Sequence, residues 1–262
     1  MKEERVSTPY EGLFNLKDKV ALVVGAAGGL AGETCLGLAQ FGATLALADM
    51  SPGGLGQVSR MLKSKGIASW CQIVDVSDET SVAALFDGLL KRFGRLDIMV
   101  NFAGLAAPLP VEKIDTAEFQ KIINVNLLGS FLLAKYSLSL MVPQGSGKII
   151  LVGSVSGQIG RPFSAHYSAS KGGVHSMVRT MAVEMAKNNI QINSIAPVFT
   201  LTPMSACVVG DQEGKERIIS TIPMGRLGLP SDLVGAMVFL VSSASDFVTG
   251  QTIFVDGGCT IS

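Results

Sequence analysis

The chain has 262 residues, enough for one large α/β domain with a full core. Apolar residues make up 48%, charged residues 16%, and the formal net charge is zero, which argues against a nucleic-acid or acidic-membrane surface. No run reaches the ~18–20 uninterrupted apolar residues of a membrane span, and four scattered cysteines with two histidines suggest neither a disulfide framework nor a metal site.

Residues 1–17 are polar, carry Pro9 and Gly12, and read as a loose arm ahead of a single domain at 18–262. The opening run has no apolar h-region of a secretory signal, so a soluble, cytoplasmic protein is expected. Strands are predicted at 20–24, 44–48, 69–74, 98–100, 149–152, 191–195 and 252–255. Helical patterns lie between them, near 30–41, 54–65, 79–93, 115–140, 165–187 and 231–243. Continuous apolar strands alternating with helices imply a parallel sheet covered on both faces.

The first strand runs into a glycine-rich turn containing Gly25, Gly28, Gly29 and Leu30. Glycines there let the backbone approach a pyrophosphate, and the helix that follows offers N–H groups and a positive dipole end. Cys35, in that helix, reads as a packed residue. The second strand ends at Asp49, 24 positions after Gly25, where an acidic residue holds a ribose diol. The plainer alternative is a turn aspartate. Beyond the third strand come Asp75 and Val76, then Ser77 and Asp78 as caps for the next helix. The fourth strand ends in Asn101, followed by Ala103 and Gly104. Farther on, Asn126 sits inside an apolar helix, where asparagine has poor propensity and is costly to bury alone; a network or functional role follows. Asn124 reads as partly exposed.

The fifth strand ends at Gly153-Ser154, a Gly- and Ser-rich loop with Pro162 follows, and a helix begins near Ser164. Tyr167 and Lys171 stand at i and i+4 on that helix, on one face. A phenol titrating near ~10 is a poor base at neutral pH. A neighbouring ammonium lowers that value, and a serine hydroxyl can donate to and accept from a substrate oxygen. The trio suits proton transfer to or from an alcohol or carbonyl. Arg161, Phe163 and His166 flank it. Arg161 pairs an acidic group or is simply solvated, and His166 reads as a surface or wall residue. Met177, Met181 and Met185 form one apolar stripe on the helix, and Val174, Val178 and Ala182 a second, so the helix is expected to need two partners. Residues 198–221 break the alternation and read as a mobile lid whose Phe199, Leu201, Met204 and Val208 close the pocket.

These features in order resemble the short-chain dehydrogenase/reductase family. They are the glycine turn, Asp49, Asp75-Val76, Asn101-x-Ala103-Gly104, Val125-Asn126-Leu127, Ser154, Tyr167-x-x-x-Lys171, the Pro197–Thr202 stretch and the closing Val255-Asp256-Gly257-Gly258. The likeness runs from Lys19 to Gly258. It implies a Rossmann-type, doubly wound, seven-stranded domain and helix pairing into a homotetramer. It also implies NAD-linked oxidoreduction of a small-molecule alcohol or carbonyl, without nucleic-acid or membrane partners. By it, Tyr167 is acid/base, Lys171 lowers its pKa and binds the nicotinamide ribose, Ser154 holds the substrate oxygen, and Asn126 holds a relay water. Pro197, Thr200 and Thr202 line the nicotinamide site, the two threonines at the carboxamide. Val24, Ala31, Phe102, Gly153 and Val198 depart from the family's usual residues. The rivals are an NADPH-dependent 3-oxoacyl reductase, which Asp49 opposes, and a non-enzymatic NAD-binding protein, which the four intact catalytic positions oppose.

Overall fold

The computed structural model describes residues 10–202 and 212–262. The strands are β1 (Val20–Val24), β2 (Thr44–Asp49), β3 (Ser69–Ile73), β4 (Ile98–Asn101), β5 (Gly147–Val152), β6 (Ile190–Pro197) and β7 (Thr252–Val255). They form one parallel sheet in the order β3-β2-β1-β4-β5-β6-β7. The described helices are α1 (Ala31–Gln40), α2 (Pro52–Ser64), α3 (Glu79–Phe93), α4 (Thr116–Ile123), α5 (Gly129–Gln144), α6 (Ala165–Met185), α7 (Gln212–Ser220) and α8 (Val234–Val241).

Alternate strand residues serve opposite layers. Leu22 and Val24 point into the core made with α3, α5 and α6. Ala21 and Val23 point into the core made with α1, α2 and α8. Both faces being buried, the strands read as unbroken apolar runs. Each fully buried Leu or Val contributes about 1.5–3 kcal/mol, so the two layers set where each strand ends. The chain winds outward from β1 to β3, then restarts at β4 on the other side. That reversal opens a crevice at the carboxyl ends of β1 and β4, where ligands bind in open α/β sheets. The caps follow local chemistry: Ser51, Asp78 and Asp115 accept from backbone N–H groups of α2, α3 and α4.

Three parts of the structure differ from the sequence reading. First, the helix expected over 115–140 runs from Thr116 to Gln144, with a π-helical turn at Asn124–Leu128 joining α4 to α5. By length and composition this stretch could cross a membrane. Its apolar residues Leu132, Leu133, Ala134 and Met141 are core residues of the sheet's own layer, and Ile122 is buried. Second, the two apolar faces of α6 do not call for two partners. Val174, Val178, Met181 and Ala182 are buried in the same core, and Met177 and Met185 pack against it. The exposed apolar residue on α6 is Val183. Third, the alternation is resumed within the stretch read as a lid by a regular helix, α7, which leaves the lid reading itself open to test. Its Ile218 and Ile219, with Phe199, pack on a separate small cluster of Val155, Val198, Ile222, Leu227 and Cys259. Leu201 is half exposed; Met204 and Val208 lie outside the described residues.

Candidate active site

The site is assembled from strand ends. At the end of β1, Gly25 takes φ 73°, and a Cβ there would stand 2.4 Å from the Ala103 nitrogen. Only glycine satisfies both the left-handed backbone and that approach. The turn passes Gly28 and Gly29 and enters α1 at Leu30, which provides no side-chain cap. Ala31 N, the first of α1, donates to Gly28 O at 3.2 Å, and the N–H groups just after it meet no capping side chain. At the end of β2 the Asp49 carboxylate accepts from Ala27 N at 3.0 Å and Ser51 N at 2.9 Å. Asp49 is thus fixed against the glycine turn, with lone pairs to spare.

Asp75 accepts from both the nitrogen and the hydroxyl of Ser77, which fixes the turn after β3. Val76 is a core residue pressed against Gly129, so only its main chain is available to a ligand. Asn101 is buried at the end of β4, donating to Ser130 Oγ and accepting from Ala103 N. It ties the strand end to α5. Gly104 leaves open a recess in which a Cβ would lie 3.3 Å from Asn126 Oδ1 and 3.5 Å from Lys171 Nζ.

The helical repeat of α6 sorts its residues. His166, Ser170, Val174 and Val178 recur every four positions and are all buried. This corrects the reading of His166 as a surface or wall residue: its stripe faces the interior. One position on, Tyr167, Lys171 and His175 form the next stripe, beneath the end of β5. Tyr167 lines a cavity; Lys171 is buried behind it, Nζ 5.8 Å from the phenol ring centroid and 2.8 Å from the Val152 carbonyl it donates to. Burial brings the Lys171 ammonium down to about 8. Burial pushes the Tyr167 phenol above its ordinary value, while the Ser154 hydroxyl beside it pulls the other way. The lowering of the phenol expected from Lys171 is thus replaced by a rise whose cause is burial, and the ammonium donates to a backbone carbonyl.

Asn126 sits in the π turn, fully enclosed. It accepts from Leu105 N at 2.7 Å and donates to Leu105 O at 2.9 Å and Ser170 Oγ at 3.0 Å. The network role read from its burial cost is what the geometry shows, with both amide N–H groups and one lone pair of the amide oxygen in use. Asn124 is partly exposed, as expected, and accepts from Gln120.

Ser154 and Tyr167 open onto a cavity of about 720 Å³. Its wall also includes Leu30, Pro197, Thr200 and Thr202, together with Ala106, Pro108, Val155, Phe163 and Val198. The arrangement can hold a substrate oxygen between a hydroxyl and a phenol, in a mostly apolar chamber. The cavity-lining run 106–108 carried no signal in the sequence, because it acts through shape.

His175 was not singled out from the sequence, yet it explains Gly153. A Cβ on Gly153 would fall 2.1 Å from His175 Nε2 and 2.8 Å from Ser194 Oγ, and one on Gly157 would fall 2.8 Å from His175 Cε1. The imidazole fills the space under the loop that presents Ser154. Burial brings its pKa down to about 4, so it is neutral there. The other departures are also packing residues: Val24 and Ala31 are core, Phe102 lies against it, and Val198 belongs to the small cluster.

Comparison with known proteins gives a consistent picture. Residues 25–260 match a family model described as enoyl-(acyl carrier protein) reductase. The chain is 38% identical over 244 residues to the cis-4-hydroxycyclohexanecarboxylate dehydrogenase of Sinomonas cyclohexanicum, covering 93% of this chain and 97% of that one. It is 35% identical over 250 residues to the 3-oxoacyl-[acyl-carrier-protein] reductase FabG of Thermotoga maritima, covering 95% and 100%. Among solved structures, the gluconate 5-dehydrogenase of Burkholderia cenocepacia, in complex with NADP and tartrate, superposes with a TM-score of 0.91. It is 34% identical, over 95% of this chain and 98% of that one.

Gly153→Ala should destabilise the fold by about 1–3 kcal/mol, because it overpacks against a rigid ring. Introduced into a His175→Ala background, the same change should cost less, the remainder coming from the 2.8 Å approach to Ser194 Oγ. Thermal unfolding of the four-membered cycle measures the coupling; equal losses in both backgrounds would show that the ring is not the obstacle.

Proposed function

The chain belongs to the short-chain dehydrogenase/reductase family, and on that footing we propose that it is an NAD-dependent enzyme interconverting a small-molecule alcohol and a carbonyl. The supporting observation is that Ser154 and Tyr167 share one cavity wall, with Lys171 and Asn126 buried immediately behind. When bound, the nicotinamide cofactor supplies or accepts the hydride. In carbonyl reduction the Tyr167 phenol gives its proton to the substrate oxygen, and in alcohol oxidation the phenolate takes it back. Ser154 holds that oxygen. Lys171 binds the nicotinamide ribose and favours the phenolate once the site is filled. Asn126 keeps the Leu105 backbone and α6 in register and holds a relay water. Gly25, Gly28, Gly29 and Leu30 receive the pyrophosphate. Asp75, Val76, Asn101, Ala103 and Gly104 border the adenosine and ribose, and Pro197, Thr200 and Thr202 the nicotinamide.

Asp49 supports NAD. Its fixed carboxylate can accept from ribose hydroxyls and would repel a 2′-phosphate. A second reading, an NADPH-dependent reductase of 3-oxoacyl chains, draws support from the apolar cavity and from the Thermotoga relative's name. The NADP in the Burkholderia relative belongs to that protein. The reading also divides the chain into an arm at 1–17, a domain at 18–262 and a substrate lid at 198–221. It assembles four copies through exposed apolar residues of the α4–α6 side: Phe119, Leu128, Phe131 and Val183.

Four outcomes are expected. Tyr167→Phe should lower turnover at least about 100-fold, with NAD binding by fluorescence titration kept; near-normal turnover would remove Tyr167 from the chemistry. NAD should exceed NADP in kcat/KM by about tenfold or more, and Asp49→Ser should narrow the gap; parity in the unmutated protein would favour the second reading. Light scattering at micromolar concentration should give a four-chain mass, and a monomer mass would end the tetramer reading. Hydrogen exchange over residues 198–202 and 212–221 should slow when NAD and substrate are added. Strong protection already present in the free protein would make that stretch a fixed surface element.

A further inference from the structure

The substrate cavity carries charge of one sign. Arg161 and Arg217 lie on its wall, and no Asp or Glu lines it among the described residues. Arg217 is exposed at the rim on α7, whereas Arg161 is half-buried in the loop between Ser154 and Tyr167. The Arg161 side chain reaches across the floor. It donates through Nη2 to Cys259 Sγ at 2.8 Å and weakly through Nη1 to Thr221 Oγ1 at 3.5 Å, and its guanidinium lies 5.9 Å from the Phe199 ring centroid. A thiol and a hydroxyl orient a guanidinium but do not neutralise it. Nε is enclosed without an acceptor. Elsewhere the protein treats such groups differently: Arg95 and Arg226 each grip a carboxylate through two nitrogens. No carboxylate among the described residues pairs with Arg161 in that way.

A charge partly removed from water and left without a counter-ion is costly. A planar five-donor fork on a cavity wall matches a carboxylate in size, charge and geometry. Resting on the oxidoreductase reading of Ser154 and Tyr167, we propose that the substrate is a hydroxy or oxo carboxylic acid whose carboxylate is held by Arg161. The acid end docks on the loop from Ser154 to Tyr167 that also presents the reacting groups, and the apolar walls at Ala106, Pro108 and Val155 hold the carbon skeleton between them. Arg161 is then the specificity-determining residue. It acts on the end of the substrate remote from the reacting carbon, so it should govern KM more than kcat.

The test uses matched pairs of hydroxy acids and their methyl esters on linear, cyclic and sugar-derived skeletons, with NAD and NADP both supplied. At least one acid should exceed its ester in kcat/KM. Arg161→Met should lower kcat/KM for that acid about 10- to 100-fold, mostly through KM, and change the ester less than about threefold, as expected for loss of a charged hydrogen-bond pair. Arg161→Lys should recover part of the loss. Equal losses on acid and ester would make Arg161 a loop anchor and overturn the proposal, as would esters matching acids on every skeleton. Calorimetry with cyclohexanecarboxylate and cyclohexylmethanol separates this from the catalytic reading. If nothing turns over yet the carboxylate binds in preference to the alcohol, and Arg161→Met removes that preference, the anion site stands and the reaction assignment falls. No turnover with no carboxylate preference defeats both.

Discussion

The site depends on one side chain that never touches the cavity. Asn126 joins three separate pieces of chain: the segment after β4 through both backbone groups of Leu105, the π turn it belongs to, and α6 through Ser170. A regular α-helix would rotate residue 126 away from one of these partners; the wider π turn admits the extra residue and turns the amide inward. A buried hydrogen bond adds only about 1 kcal/mol net, but an unmet buried amide costs more than a met one contributes. The three bonds therefore act as a register pin. They set how far α6 lies from the end of β4, and so where Tyr167 and Lys171 stand relative to the crevice.

Much of the fold was legible because its signals are local. Val20–Val24 and Thr252–Val255 coincide with their predicted bounds, and Glu79–Phe93 with its helix, since apolar runs, an aspartate cap and a terminal glycine mark them. The ordered set of candidate motifs is local in the same way: glycines at a strand end and a tyrosine one turn before a lysine are statements about neighbours. What escaped depends on the third dimension. His166 and Tyr167 are adjacent in sequence and separated by one helical step, which is the difference between core and cavity. The Val174 and Met181 stripes looked like two surfaces because the sequence does not show how deeply α6 sinks between the sheet and the π turn. That Lys171 donates to the Val152 carbonyl has no signature in the sequence. The apolar length of 116–144 resembled nothing but helix until the layer it fills was seen.

The two halves of the crevice are built on different principles. On the β1–β2 side, recognition is through main chain: a glycine turn, an uncapped helix start and one carboxylate fixed by backbone N–H groups. Such a surface is rigid and tolerates little change in its ligand. On the β5–β6 side, the wall is made of side chains from α6, α7 and the loops around 106–108 and 161–163, over a small cluster separate from both main cores. That cluster meets the sheet through Phe254 of β7. On the proposed reading, this division would place a common hydride carrier on one side and a variable partner on the other.

The fit between Gly153 and His175 bears on how this protein could have changed over time. A side chain at 153 has no room while the imidazole is in place, but the imidazole can be lost while 153 remains glycine, leaving only a void. The two positions are thus linked in one order. A lineage gaining a side chain at 153 loses about 1–3 kcal/mol while the imidazole stands, and less if residue 175 has shrunk first. The pair thus biases the order of change: with histidine at 175, glycine at 153 is the cheaper state.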